Sequence, residues 1–240
     1  MPRTAVAGAA RQLGVDSNTA NGLGEVDLAF LIADLSGFTA LTETYGSAGG
    51  AQVLTRYGGI AERALEPGAR LVERAGDELL IADADVARIV RIAVRLRMAI
   101  EQEPLFPSVR AGIHAGPVLE YRGGYVGPAL SLARQVAAYA RAGEILCTEA
   151  VFRRAANVGD IEFVAVGPVR LWNVAEPVWI YEVIPPGQRD PGSAVDPVCR
   201  MQVRAETAPA RLPYKDRTYW FCSFDCASAF AERPDRYAST

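Results

Sequence analysis

The sequence is short of histidine, cysteine and net charge, and each shortage limits what the chain can do. It has 1 histidine, 4 cysteines and a formal net charge of −3. So small a charge excludes the basic surface of a typical nucleic-acid-binding protein. No apolar run could span a bilayer, and the first residues lack the apolar segment of a signal peptide. We therefore expect a cytoplasmic protein with reduced cysteines and no nucleic-acid or membrane partner.

The length and composition suit one medium domain followed by a small one. Of the 240 residues, 50% are hydrophobic. Residues 1–24 predict a loose N-terminal arm, and 25–185 alternate between strand and helix patterns. Proline, glycine and aspartate in 186–194 predict a linker. The module at 195–240 is below the size that an apolar core usually holds without staples or metal.

The main domain is predicted to be α+β, with an antiparallel-rich sheet and helices on one face of it. The predicted elements are a strand at Val26–Ala33, helices at Phe38–Tyr45 and Ala48–Leu65, a hairpin around Ala75-Gly76-Asp77, a helix capped by Asp85, two strands in "SVRAGIHAG" and "PVLEYRGG" joined by a Gly-Pro turn, a helix at Pro128–Ala142, and strands at Glu144–Thr148 and within Ile161–Ile184.

Two acids stand at ends of predicted strands. Asp34 ends the apolar run "FLIA", and Asp77 lies at the hairpin tip. If the hairpin tip lies beside the first strand, the two carboxylates face each other and favour Mg²⁺ or Mn²⁺. The backbone of Leu35–Thr39, which opens a helix, could then bind phosphate. The alternative is that Asp34 caps this helix and Asp77 is an ordinary turn residue.

Four segments resemble the catalytic domain of class III adenylate/guanylate cyclases over about residues 25–185: "FLIADLSGFTALTE", "LVERAGDELLIA", "VRAGIHAGPVLEYRGGYVGPALSLARQVAAYARAGEILCTEA" and "VGPVRLWNVAEPVWIYEV". The resemblance implies a ferredoxin-like domain that cyclises ATP or GTP and releases pyrophosphate, working as a dimer. It assigns two metal ions to Asp34, Asp77 and the Leu35 backbone. It assigns phosphate binding to the backbone of Ser36, Gly37, Phe38 and Thr39.

The chain departs from this family where the transition state is stabilised. The family has an asparagine and, four residues later, an arginine on one helix face; here those positions are Ser131 and Gln135. Shifting the register by one residue recovers Arg134 but puts Leu130 at the asparagine position. The family also has a lysine that contacts the triphosphate, and Trp172 stands at its position here. We expect weak or no activity from this chain alone, because each missing donor costs about 100- to 1000-fold in rate.

Three readings of this site stay open. The chain could cyclise nucleotides with Ser131 and Gln135 in place of the usual pair. It could bind nucleotide as a homodimer, or complete its site in a heterodimer with another cyclase chain. For the base, Glu73 stands where guanylate-type domains have glutamate, and the second base-contacting position falls near Gly124. Guanine is weakly favoured, and Glu73 could equally be a solvated strand residue.

The C-terminal segments "DPVCRMQV" and "YKDRTYWFCSFDCASAFAERPDRY" resemble the YHS domain, a family associated with soft metals. Cys222 and Cys226 are spaced to share one helix face, and a turn could bring Cys199 to them. Three thiolates suit Cu(I) better than Zn²⁺, which would need Asp196, Asp225 or water as a fourth ligand. The alternative is that the cysteines are core residues. A further hypothesis makes the protein a metal sensor whose cyclase-like domain is only a nucleotide-binding or dimerisation scaffold.

Overall fold

The computed structural model describes residues 24–188, 193–199 and 202–238. The predicted arm at 1–24 therefore lies almost entirely outside the described residues. The larger domain has strands β1 (Glu25–Leu35), β2 (Arg70–Ala75), β3 (Glu78–Asp83), β4 (Val109–Tyr121), β5 (Gly124–Val126), β6 (Ile145–Thr148), β7 (Glu162–Val169) and β8 (Val178–Ile184). Its helices are α1 (Phe38–Ala64), α2 (Val86–Glu101), α3 (Pro128–Tyr139) and α4 (Glu149–Ala155).

These strands form one sheet in the order β2-β3-β1-β4-β6-β8-β7, with β5 paired to β4. All described pairs are antiparallel except β4 with β6, so the predicted α+β class is confirmed. Gly46 has non-helical backbone angles inside α1, which accounts for the two helices predicted there. Asp85 accepts a hydrogen bond from Arg88 N and caps α2 as predicted.

Helices cover both faces of the sheet, so the prediction of helices on one face is wrong. Leu31 and Ala33 of β1 pack with α1, α2 and α4, whereas Phe30 and Ile32 pack with α3 on the opposite face. Alternate residues of a strand point to opposite faces, and a continuous apolar run is typical of a strand buried on both. The buried run "FLIA" therefore indicated this arrangement.

The predicted Gly-Pro turn is also wrong, because β4 runs unbroken through Gly116 and Pro117 opposite β1. The second neighbour, β6, pairs only with Ala111–Ile113. Pro117 thus lies where that edge of β4 has no described partner, and its missing N–H can be tolerated there. The turn that reverses the chain comes later, between β4 and β5.

The C-terminal module consists of two hairpins and two short helices. The first hairpin pairs β9 (Ser193–Val195) with β10 (Gln202–Arg204), and the second pairs β11 (Ala210–Tyr214) with β12 (Arg217–Phe221). Helices α5 (Phe224–Glu232) and α6 (Pro234–Tyr237) follow. Its fully buried residues are few, chiefly Phe221, Ala227 and Phe230. Among the described residues, no helix is long and apolar enough to cross a membrane.

Candidate functional site

The first predicted acid lies at the end of the central strand, beside an arginine of the next strand. Asp34 is directly opposite Arg110 in the β1–β4 register. Arg110 donates from Nε to the Asp34 carboxylate at 2.8 Å, and the Asp34 side chain is only 19% exposed. Helix α1 begins after Gly37 and has no side-chain cap. The alternative in which Asp34 caps this helix is therefore wrong.

The second predicted acid lies in the turn between β2 and β3 and contacts the first acid. Asp77 follows Gly76, whose φ of 62° suits a tight turn. Burial, followed by the hydrogen bond and the charge repulsion with Asp34, raises the pKa of Asp77 to about 6. Two carboxyl groups this close disfavour double ionisation unless a cation neutralises them. The structure brings the two acids together, and their role as metal ligands stays a prediction.

A buried tyrosine hydroxyl lies near this acidic pair. Tyr57 of α1 is 1% exposed, and its hydroxyl has no hydrogen-bond partner among the described residues. Burial, followed by the charges of Asp34 and Asp77, raises the pKa of Tyr57 well above its usual value. A buried polar group without a partner is rare and calls for a water or ion to satisfy it. The Tyr57 hydroxyl is therefore compatible with a hydrated divalent cation bound by the two acids, because it can hydrogen-bond to a water molecule of that cation.

The predicted phosphate-binding segment follows Asp34 directly. Leu35 is buried, Gly37 has a φ of 79°, and α1 begins at Phe38 with Thr39 next to it. The first N–H groups of a helix have no helical acceptor and carry a partial positive charge. In addition, the Ser36 hydroxyl oxygen is buried without a described partner. The Ser36 N–H, however, already donates to Ser108 O at 2.8 Å, so the donors left for an anion are the Ser36 hydroxyl and the first N–H groups of α1.

The two degenerate positions lie on α3 and differ in environment. Ser131 is exposed, whereas Gln135 is half-buried and its Oε1 has no partner among the described residues. Arg134 lies between them in sequence and points to the β2–β3 hairpin. It donates from Nε to Glu78 at 3.1 Å and from Nη2 to Glu73 at 3.4 Å. Neither substituted side chain supplies a positive charge.

The remaining predicted nucleotide positions are on the surface. Glu73 is exposed on β2 and is engaged by Arg134 rather than only by solvent. Gly124 begins β5 and has no side chain. Trp172 is 80% exposed after β7, and the next residue, Asn173, has a φ of 58°. The indole of Trp172 has no charge to offer a triphosphate.

Three cysteines and one aspartate converge in the C-terminal module. The Cys199 and Cys222 sulfurs are 3.3 Å apart, and those of Cys222 and Cys226 are 3.8 Å apart. A carboxylate oxygen of Asp196 and the three cysteine sulfurs all lie within 4.8 Å of one another. Asp225, the other predicted source of a fourth ligand, is exposed and is not part of this group. The structure thus brings the three predicted cysteines together, and metal binding by them stays a prediction.

The protonation of this cluster follows from its hydrogen bonds. Burial opposes ionisation of Asp196, but backbone N–H groups of Cys222, Val198 and Cys199 hold its pKa below the usual range. The thiol pKa of Cys222 is raised to about 12, first by its hydrogen bond with Cys199 and then by that with Asp196. Burial raises the pKa of Cys226. Without metal, these contacts favour an ionised Asp196 carboxylate and protonated thiols at Cys222 and Cys226.

The sequence analysis did not identify Arg110 or Tyr57 as residues of this site. The antiparallel pairing of β1 with β4 was the signal for Arg110, because it sets "VRAGIHAG" against "FLIADL" with arginine opposite Asp34. Tyr57 gave no comparable signal, since a tyrosine at core spacing is usually packed for its ring.

Comparisons with known proteins agree with this architecture. Residues 194–240 match the family model of the YHS domain. Among solved structures, adenylyl cyclase CyaB from P. aeruginosa superposes with a TM-score of 0.57 at 18% identity, over 69% of this chain and 97% of that one. An adenylate/guanylate cyclase/hydrolase from Silicibacter pomeroyi gives 0.59 at 22% identity, over 68% and 99%. The N-terminal part therefore has the fold of nucleotide cyclase domains, and a YHS domain follows it.

Sequence relatives point the same way. A pH-sensitive adenylate cyclase from Mycobacterium tuberculosis is 26% identical over 165 residues, which are 68% of this chain and 41% of that protein. An adenylate cyclase from Streptomyces griseus is 30% identical over 129 residues, which are 53% of this chain and 32% of that protein. The chain thus spans well under half the length of these curated relatives. Its similarity to nucleotide cyclases covers 68% of the chain in the first comparison and 53% in the second.

Proposed function

We propose that residues 25–185 bind a nucleoside triphosphate with Mg²⁺ or Mn²⁺ and belong to a cyclic-nucleotide signalling protein. The observation that carries this proposal is the contact between Asp34 and Asp77 at the end of the central strand, next to the start of α1 and the Ser36 hydroxyl, which has no partner among the described residues. The adenylate cyclases of M. tuberculosis and S. griseus among its relatives support the same reaction class. The reaction is that of a phosphorus–oxygen lyase.

The residues present fit two divalent cations. Asp34, Asp77 and the Leu35 carbonyl would hold them, because Mg²⁺ prefers carboxylates and substrate phosphates as ligands. The chemistry that such cations supply is stabilisation of the attacking ribose 3′ oxygen and the leaving pyrophosphate. Arg110 now neutralises Asp34. Once released from that pair, its guanidinium would be free to contact a phosphate.

The same chain stabilises the transition state poorly. A serine hydroxyl and a glutamine amide at positions 131 and 135 can donate hydrogen bonds but have no charge to offset charge developing on phosphate. Arg134 is held by Glu73 and Glu78. We infer weak or absent cyclase activity for this chain by itself, as a homodimer. A heterodimer with a chain that has the asparagine and arginine would complete one site.

The base preference follows from Glu73, which could accept hydrogen bonds from guanine N1–H and its amino group. The contact from Arg134 satisfies part of this carboxylate and orients it. We therefore propose GTP ahead of ATP.

A second function is supported by the cysteine cluster. We propose that the YHS domain binds Cu(I) or Zn²⁺ through Cys199, Cys222 and Cys226, whose sulfurs already lie at 3.3 and 3.8 Å. Metal on this domain would regulate the nucleotide site. If the cyclase-like domain were only a scaffold for nucleotide binding or dimerisation, the metal function would remain; nucleotide binding would be absent in the case of a dimerisation scaffold.

The test combines product formation with nucleotide binding. Wild-type protein and the variants Asp34→Asn and Asp77→Asn are incubated with GTP or ATP and Mn²⁺, and cyclic product is measured alongside binding of a fluorescent nucleotide. Asp27→Asn is the matched control, because it changes an exposed acid on the same strand that pairs with Arg154. We expect Mn²⁺-dependent binding in wild type and control and its loss in both site variants.

The outcomes separate the readings. Product that disappears in both variants identifies a working cyclase. Binding without product identifies a degenerate site, and a second cyclase chain is then added to restore product. No binding in wild type contradicts the nucleotide proposal and favours the scaffold. For regulation, equal nucleotide binding and activity after replacement of the three cysteines by serine would contradict coupling between the domains.

A further inference from the structure

Asp196 is held by three backbone N–H groups from two segments of the C-terminal module. It is fully buried. Its Oδ1 accepts from Val198 N at 2.9 Å and from Cys199 N at 3.3 Å. Its Oδ2 accepts from Cys222 N at 2.8 Å. The carboxylate thus fixes the backbone of two of the three cysteines, which are 23 residues apart in sequence.

The third cysteine, Cys226, is positioned by a different hydrogen bond. Ser223 caps α5, and its hydroxyl accepts from Cys226 N at 3.2 Å. Cys226 therefore lies in the first turn of α5, where the partial positive charge of the helix favours a thiolate. Because the position of Cys226 depends on Ser223 rather than Asp196, a substitution of Asp196 leaves the hydrogen bond that positions Cys226 in place.

The sulfur spacing already suits a bound ion. A metal–sulfur bond of about 2.3 Å separates two sulfurs by about 3.8 Å in a tetrahedral site and slightly more in a trigonal one. The observed 3.3 and 3.8 Å need only small changes in side-chain torsion. No movement of Asp196 is required to bring the thiols together.

The hydrogen-bond count argues against Asp196 as a ligand. A carboxylate has about four lone-pair directions; three are used by N–H donors, and the Cys222 side chain hydrogen-bonds to the same carboxylate. If Asp196 turned to coordinate an ion, it would weaken at least one of these bonds. A buried N–H group of the cysteine backbone would then lack a partner, and the cysteine it belongs to would lose its position.

We propose that Asp196 is the positioning residue of a three-thiolate site and stays outside the coordination sphere. Cys199, Cys222 and Cys226 alone bind a soft ion such as Cu(I), and Asp196 holds the first two in place. This inference rests on the proposed metal binding by the YHS domain and goes beyond it in assigning the ligand number and the role of the carboxylate.

The full-length protein is reduced anaerobically and loaded with Cu(I), and X-ray absorption at the copper edge gives the ligands. We expect three sulfur ligands and no oxygen or nitrogen ligand in wild type. Competition with a chromophoric Cu(I) chelator gives the affinity. Asp196→Asn preserves shape but turns one acceptor into a donor that faces backbone N–H groups. Loss of such a supporting contact typically costs 10- to 100-fold in metal affinity, so we expect a loss of about that size with three sulfurs retained.

Asp225→Asn is the matched control, since Asp225 is an exposed aspartate next to Cys226; we expect its affinity to equal that of wild type. An oxygen ligand in wild type that Asp196→Asn removes would make Asp196 a ligand and overturn the proposal. Equal affinity of Asp196→Asn and wild type would overturn the positioning role. If Asp196→Asn fails to fold, the wild-type spectrum still decides the ligand number. Absence of Cu(I) binding in wild type would instead contradict the metal function itself.

Discussion

His114 should make the larger domain less stable in mild acid. It lies in β4, and its Nδ1 is 2.8 Å from the hydroxyl of Thr148. Burial lowers the pKa of His114 from 6.5 to about 4, and the charge of Asp27 only partly offsets this. The folded protein therefore keeps the imidazole neutral in a pH range where the unfolded chain binds a proton.

The sign and the size of the effect follow from proton linkage. Above pH 6.5 both states are neutral at His114, and its contribution to the free energy of unfolding does not change with pH. As pH falls from 6.5 to 4, the unfolded state gains the proton first and stability is lost. A pKa difference of 2.5 corresponds to about 3 kcal/mol in full, of which about 2 kcal/mol is lost by pH 5.

Denaturant unfolding at pH 8 and pH 5, followed by circular dichroism, measures this loss. His114→Asn is the matched variant, because its amide can occupy the place of Nδ1 beside Thr148 but does not titrate. Carboxyl groups contribute equally to both proteins and cancel in the comparison. We expect the stability lost between pH 8 and pH 5 to be about 2 kcal/mol smaller in the variant. Equal losses in the two proteins would refute the reasoning.

Three further predictions concern the nucleotide site and the sheet. The double variant Ser131→Asn, Gln135→Arg should raise cyclase activity about 100-fold or more, because it restores charge-stabilising donors; unchanged activity with intact nucleotide binding would contradict their role. Trp172→Lys should tighten triphosphate binding about tenfold, as one charged hydrogen bond would, and titration with a fluorescent nucleotide would detect no change if the position is remote. Gly112→Ala should unfold or strongly destabilise the domain, since its Cβ would lie 2.6 Å from a backbone Cα of α3, whereas Gly124→Ala, with no atom closer than 3.8 Å, should melt like wild type.

Local patterns predicted the elements that hold the two acids. The apolar run before Asp34 and the Gly76 turn before Asp77 are short-range signals. The strand and the hairpin that they predict are both present in the structure. The contact between these acids was argued from a plausible topology, since sequence alone does not fix strand order. The Gly-Pro dipeptide misled, because turn chemistry is local whereas the pairing of Pro117 with β1 is a tertiary contact.

The cysteine cluster was predictable as a set, and the role of its aspartate was not. Spacing placed Cys222 and Cys226 on one turn of helix, and Cys199 could be added because the module has few other polar candidates. Asp196 could be proposed only as a fourth ligand, since a sequence cannot reveal that both carboxylate oxygens accept from backbone N–H groups.

The packing of α3 decides which residue of that helix can serve the nucleotide site. Gly112 of β4 is so close to α3 that an added Cβ would meet the backbone of Val136 and Ala137. Ala133 and Ala137 are buried against the sheet. A helix held at this distance cannot rotate or slide by one residue without driving larger side chains into the strand. The position of α3 on the sheet, and with it the direction of each of its side chains, is therefore fixed.

The fixed register also explains the position of Arg134. Its guanidinium is directed to Glu78 and Glu73 at 3.1 and 3.4 Å, on the hairpin of the same chain. The resemblance to class III cyclases puts Ser131 and Gln135 where that family has asparagine and arginine, and Arg134 is already paired within its own chain. On the function proposed above, a second chain would supply the missing positive charge, and this chain would supply Asp34 and Asp77.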